Sequence, residues 1–168
     1  MGQVYLPYTE IAPGVREALD ATGRDWTPAY VGGSDSDYWH LLDGLWTAGD
    51  TFCILEHDVL PLPDSFDELE SCEGDWCAFP TPYLSGTYPG LGCVKFSADI
   101  LRAVPDAMTR VGLRSNDTHG PRHYCTIDTF LRTVLMAEGF DQCVHERVLA
   151  HWRGYPGIPQ PTHSCRNT

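Results

Sequence analysis

The stretch TFCILEHDVLPLPD, residues 51–64, decides how the chain is read. Residues 52–55 are continuously apolar, the pattern of a short strand buried on both faces of a mostly parallel sheet. The run ends abruptly in Glu56-His57-Asp58, and Pro61 and Pro63 follow, which a continuing central strand does not tolerate. Two acids and an imidazole at a strand terminus are either polar punctuation or a metal site.

Upstream, residues 4–6 read as a first strand. Pro13 suits the first turn of a helix with Val15, Ala18 and Leu19 on one face and Gly23 as its stop. Residues 29–31 form a second strand that runs into Gly32-Gly33-Ser34-Asp35-Ser36-Asp37. From Asp37 a helix is predicted, with Tyr38, Leu41, Leu42, Leu45 and Trp46 at helical spacing and Gly49 at its end. Strand and helix alternating through the first 56 residues predict an α/β layered fold.

Beyond it, residues 76–79 and 94–96 read as strands separated by a Pro-, Gly- and Tyr-rich loop, 81–92. Ser97 caps a short helix, 98–104, that halts before Pro105. Residues 110–125 lack periodicity and read as a loop. Thr126 caps a helix over 127–138 with Ile127, Phe130, Leu131, Val134 and Leu135 on one face and Gly139 as the stop. A last strand, 143–152, places His145 and His151 on one side, since they are six residues apart. At 168 residues the chain is expected to be a single domain.

The totals narrow the class. A content of 42% hydrophobic and 20% charged residues is that of a soluble globular chain. No stretch approaches the ~20 apolar residues of a membrane span, and MGQVYLPYTE lacks a signal-peptide core, so a cytoplasmic protein is expected. The seven cysteines form no C-x-x-C pair, and several lie in apolar runs, which points to reduced thiols rather than a zinc ribbon. A Cys72–Cys77 disulfide stays open. Residues 1–94 carry 16 acids against two arginines, a balance of −14, whereas 95–168 carry seven acids against nine Lys/Arg, a balance of +2. Such asymmetry suits two ligand surfaces, or one solvated acidic face.

In open α/β sheets ligands bind beyond the carboxyl ends of the strands, where residues 32–37 and 56–58 fall. The run Ala48-Gly49-Asp50-Thr51-Phe52-Cys53-Ile54-Leu55-Glu56-His57-Asp58 then resembles the metal-binding strand of inverting nucleotide-sugar glycosyltransferases of the GT-A fold, family 2 type. Tyr30-Val31-Gly32-Gly33-Ser34-Asp35-Ser36-Asp37 resembles that family's nucleotide segment. Thr126-Ile127-Asp128 is similar to its catalytic-base position, and Val148-Leu149-Ala150-His151 to the late strand whose histidine completes the metal site. The four segments occur in the family's order across roughly residues 3–152. Three departures stand out: Glu56 replaces an aspartate, Gly32-Gly33 replaces two common acids, and one strand–helix unit is missing ahead of the metal strand.

The resemblance implies a compact GT-A-like (Rossmann-like) domain, residues 1–94 forming the donor and metal half and 95–168 the acceptor half. It implies Mn²⁺ or Mg²⁺ at Asp58 and His151, with Glu56 as a further ligand or a holder of metal-bound water. His57 then reads as structural, and His145 is the alternative to His151. Asp128 is implied as the general base; an aspartate in a first helical turn is also favoured by the helix dipole alone. Pro7, Tyr8, Asp35, Asp37, Glu56, Gly90, Gly92 and Arg153 fall on the donor side, where a UDP-sugar is expected. Arg114, Arg122 and His123 fall on the acceptor side, which suits an anionic acceptor such as the hydroxymethylated DNA base of a phage-type enzyme in the host cytoplasm; a protein or small-metabolite acceptor is the other expectation. Tyr83, Tyr88 and Trp76 read as sugar-stacking residues or as core and loop anchors. The competing functions are a metal-dependent nucleotidyl or phosphoryl transferase and a non-catalytic sugar-binding relative.

Overall fold

A computed structural model describes residues 2–83, 86–114 and 119–152. In chain order the first half contains β1 (Gln3–Tyr8), α1 (Val15–Ala21), β2 (Trp26–Tyr30), α2 (Asp37–Ala48), β3 (Phe52–Leu55), β4 (Val59–Leu60) and α3 (Ser65–Ser71). There follow β5 (Trp76–Ala78), β6 (Thr81–Tyr83), β7 (Gly86–Tyr88), β8 (Cys93–Phe96), α4 (Ala98–Ala103) and α5 (Ala107–Gly112). A 3₁₀ turn (Tyr124–Thr126), α6 (Ile127–Ala137), β9 (Cys143–Val144) and β10 (Ala150–His151) follow among the described residues.

The central sheet runs β2-β1-β3-β8-β5-β9. β1 is parallel to both β2 and β3, and β5 is parallel to β9; β8 is antiparallel to both its neighbours. Side-chain alternation along the strands divides the core between the two faces. Phe52 and Ile54 join Trp39, Leu42 and Trp46 of α2 and the apolar faces of α4, α5 and α6. Cys53 and Leu55 join Val15 and Leu19 of α1 and Phe66 and Leu69 of α3 on the other side. The buried indoles of Trp39 and Trp46 donate to the Met108 and Val104 carbonyls, both at 2.9 Å, so their burial leaves no unmet donor. The architecture is a mostly parallel sheet between two helical layers, as expected.

Several boundaries differ from the sequence reading. Helix α5 takes up residues expected as loop, because Met108 and Val111 are both buried against the core. The expected strand 143–152 is two strands in two sheets. β9 adds to the edge of the main sheet, whereas β10 pairs antiparallel with β4. Between them Arg147 pairs with Asp64 and Glu68, drawing the chain toward α3 and breaking the ladder. The spacing argument that put His145 and His151 on one side therefore fails. Trp76 is 3% exposed, stacks on Phe96 at 6.0 Å and belongs to the core, not to a sugar site. Cys53, Cys72, Cys77, Cys93 and Cys143 are free thiols, which removes the Cys72–Cys77 disulfide. Cys125 departs from the expectation of reduced thiols: it is disulfide-bonded. Among the described residues no helix is long and apolar enough to cross a membrane.

Candidate functional site

The parallel strands β1, β2 and β3 end on one edge of the sheet. Pro7 and Tyr8 close β1, where Tyr8 meets Tyr30 edge-on at 5.6 Å and its carbonyl accepts from the Val31 amide. The loop that follows β2 is folded on itself by Asp37. Its carboxylate accepts from the Gly33 and Ser34 amides at 2.8 and 2.9 Å and from the Ser34 hydroxyl at 2.6 Å. Those donors, the Ser34 hydroxyl foremost, hold the Asp37 pKa below the usual carboxylate value. Asp35 turns outward instead; its carbonyl accepts from Tyr124 N–H at 3.1 Å and its carboxylate lies 3.6 Å from His123 Nε2.

At the end of β3 the chain makes a tight turn, Val59 N–H donating to the Glu56 carbonyl at 3.1 Å. The turn carries Asp58 back against β10. Register places His151 opposite Val59, and the Trp152 amide donates to the Asp58 carbonyl at 2.9 Å. The side chains follow: His151 Nε2 is 3.3 Å from Asp58 Oδ2, and the two residues are 1% and 2% exposed. His151 Nδ1–H donates to the Pro82 carbonyl at 2.9 Å, which fixes the ring so that Nε2 faces the carboxylate. Burial disfavours the imidazolium, yet Asp58, the Pro82 carbonyl and the charge of Glu56 outweigh it and raise the His151 pKa. His145 is elsewhere. Its Nδ1 meets Glu68 Oε1 at 2.8 Å and its ring stacks on Phe79, so His151 is the histidine that meets Asp58.

Glu56 is tied into the same turn. Its amide donates to the Gly92 carbonyl at 2.9 Å, and Oε1 accepts from the Tyr38 hydroxyl at 3.3 Å. The His57 carbonyl accepts from Ala12 N–H at 2.9 Å. Gly92 serves protein packing: a Cβ there would lie 3.1 Å from both Thr81 Cγ2 and Val59 Cγ2. Gly92→Ala is expected to destabilise the fold by about 1–3 kcal/mol through overpacking, read from a denaturant melt; an unchanged midpoint counts against this account. Gly90 is half-buried beside it.

Arg114 and Arg122 are exposed and lie over aromatic rings, Phe130 at 5.7 Å and Trp39 at 4.5 Å. His123 stacks between His119 and Tyr124. Through Asp35, His123 and Tyr124 the residues expected on the acceptor side meet the loop expected on the donor side. Arg153 lies outside the described residues, as do the side chain of Tyr83 and residues 115–118. Asp128 stands in the first turn of α6, just after that contact, with Thr129 N–H donating to Oδ1 at 2.7 Å. Asp128 is exposed at the surface, yet crowding by the surrounding protein desolvates the carboxyl enough to raise its pKa against the two Thr129 donors.

Neither Tyr38, read from sequence only as part of the apolar face of α2, nor Pro82 was expected at the site. Tyr38 had a signal, a polar tip among the core-facing positions of α2. Pro82 had none, since it contributes only a backbone carbonyl.

No family model matches the chain, and no curated protein matches it. Solved structures do. A197 from STIV superposes with a TM-score of 0.54 at 12% identity, over 89% of this chain and 81% of that one. A glycosyltransferase involved in the glycosylation of the major capsid of PBCV-1 superposes at 0.52 and 14% identity, over 91% and 94%. The fold is GT-A-like. At these identities the likeness carries the fold, and the chemistry rests on the side chains.

Proposed function

We propose that this chain is a metal-dependent, inverting glycosyltransferase that moves a sugar from a nucleotide-sugar donor, a UDP-sugar in the first instance, to an acceptor hydroxyl. The observation that carries the reading is the buried Asp58–His151 pair at the end of β3, on the edge where residues 32–37 also lie. The residues fit Mn²⁺ or Mg²⁺. Two ligands held at about 2.1 Å and at right angles are roughly 3 Å apart, close to the 3.3 Å between Asp58 Oδ2 and His151 Nε2. A carbonyl on Nδ1 is the usual support of an Nε2 ligand; Glu56 acts on His151 through its charge but does not close a three-ligand cluster with the pair. A bound divalent ion supplies Lewis-acid stabilisation of the diphosphate leaving group.

The remaining roles fall to the chain's own groups. Pro7, Tyr8, Asp35 and the loop closed by Asp37 border the donor, with Gly90 and Gly92 behind them and Arg153 as a counter-charge for the diphosphate. Asp128 takes the acceptor proton, opposite the leaving group, which gives single displacement with inversion. Arg114, Arg122 and His123 orient an anionic acceptor such as a hydroxymethylated DNA base.

A thermal-shift panel of nucleotide sugars with and without Mn²⁺ tests the reading. At a hundredfold excess over Kd a ligand stabilises by about 2.7 kcal/mol, which for this size raises Tm by roughly 5–11 °C. The shift requires Mn²⁺ and disappears in Asp58→Asn. No shift with any nucleotide sugar and metal rejects the proposal. Release of free sugar from the shifting donor separates it from nucleotidyl transfer.

A further inference from the structure

Away from the Asp58 edge, three ligand groups converge where α3 ends against the outer strands of the sheet. Cys72 Sγ, Cys77 Sγ and a ring nitrogen of His145 all lie within 4.8 Å of one another. The fold brings them together from two directions. Cys72 caps α3 and Cys77 lies on β5, while the β5–β9 ladder sets Cys143 opposite Cys77 and the His145 amide donates to the Ala78 carbonyl. Cys143 Sγ stands 3.3 Å from Cys72 Sγ, as a free thiol. Gly74 permits the approach: a Cβ there would lie 2.9 Å from Cys143 Cβ and 3.5 Å from Cys72 Sγ.

A second observation points to a ligand. His145 is nine-tenths buried, its Nδ1 is held by Glu68 at 2.8 Å, and its Nε2 is buried with no hydrogen-bond partner. An orphaned buried nitrogen is costly, and an imidazole oriented by a carboxylate is the usual arrangement of a histidine metal ligand. The cluster also has a compensating cation, since Lys95 is buried and donates to the Cys72 carbonyl at 2.6 Å. Despite desolvation, the Gly74 amide, the neighbouring thiols and Lys95 lower the Cys72 pKa; burial pushes Cys77 up to about 12, so its proton must leave when a metal binds.

We propose that Cys72, Cys77 and His145 hold a zinc ion that staples the end of α3 to the β5–β9 edge. Cys143, which lies outside that trio but 3.3 Å from Cys72 Sγ, turns in as the fourth ligand. Closed Cys₃His sets are structural zinc sites, with ligand atoms roughly 3.5–3.8 Å apart at Zn–S of about 2.3 Å. The spacing C-x₄-C…C-x-H is unlike a zinc ribbon, and the site becomes visible only when β9 pairs with β5. A separate trio, His119, His123 and Cys125, offers no equivalent while the Cys125 sulfur is committed to a disulfide.

The full chain carrying Cys125→Ser, which keeps the His119/His123 trio from supplying a thiolate once the protein is reduced, is stripped of metal and titrated with Co²⁺ and then Zn²⁺. One equivalent of Co²⁺ is expected to produce a thiolate-to-cobalt charge-transfer band, and Zn²⁺ to displace it. The band persists in Asp58→Asn, which separates this site from the proposed donor site, whose ligands Asp58 and His151 offer oxygen and nitrogen. It is lost in the double variant Cys72→Ser/His145→Gln. Glu68→Gln, which leaves every ligand in place, weakens uptake by roughly 10–100-fold and serves if the double variant does not fold. A natively folded Cys125→Ser chain with no charge-transfer band overturns the proposal. So does a band that survives the double variant, or a Cys72–Cys143 disulfide whose reduction leaves no metal uptake.

Discussion

Asp128→Asn is expected to lower sugar transfer by roughly 10²–10⁴-fold, the range general acid–base catalysis supplies, with donor binding and folding nearly unchanged. The carboxyl sits in the first turn of α6, directly after the segment that Tyr124 and His123 tie to Asp35. Asparagine keeps its shape and its acceptance of the Thr129 amide but cannot take a proton. If the aspartate served only the helix dipole, the substitution would cost about 0.3–1 kcal/mol of stability and leave turnover intact. The pH profile separates the two roles further. A general base works ionised, so transfer is present above its folded pKa and lost as pH falls through it. Desolvation raises that pKa, so the acidic limb of kcat/KM should lie above the ordinary aspartate value of about 3.9. In the variant that limb should vanish along with the rate. Full turnover by Asp128→Asn, with its Mn²⁺-dependent thermal shift preserved, removes Asp128 from the chemistry.

The parts of the fold that were legible in the sequence are those set by local pattern. The apolar run 52–55 announced a two-sided central strand, and it is buried on both faces. Gly49 announced the end of α2 and takes φ 75°, a conformation its Cβ-bearing neighbours avoid. The Ser97 side chain does accept from the Ile100 amide. What was not legible depends on long-range pairing. The return of β10 onto β4 joins residues some ninety apart and brings His151 onto Asp58; nothing local distinguishes that strand from the continuous one expected. The same non-local step moved His145 to Glu68 and assembled the thiol cluster around it. Antiparallel β8 was likewise hidden, because a fully buried strand has the same composition in either direction. The site residues were thus nameable as types at strand ends, whereas their partners, Tyr38 and the Pro82 carbonyl among them, needed the fold.

Phe96→Ala is expected to be the most damaging single change to stability. Phe96 is fully buried in β8, the antiparallel strand that joins β3 to β5 and so couples the Asp58 edge to the rest of the sheet. Its ring meets Trp46 at 5.4 Å, Phe52 at 5.3 Å and Trp76 at 6.0 Å, three rings on two strands and a helix. Truncation removes those contacts together and leaves a cavity that rigid indoles cannot collapse into. The expected cost is about 3–5 kcal/mol, a large share of the 5–15 kcal/mol typical of a domain, and a fall in Tm of roughly 6–20 °C. Tyr88→Ala is the control: Tyr88 is exposed on the β6–β7 hairpin, and its loss should stay within about 0.5 kcal/mol. Phe96→Leu retains most of the buried volume and should fall between them. If Phe96→Ala costs no more than Tyr88→Ala in parallel denaturant melts, the two-faced core built around β3 and β8 is wrong. The site would lose support with it, because Glu56 and Asp58 follow directly on β3, which β8 flanks.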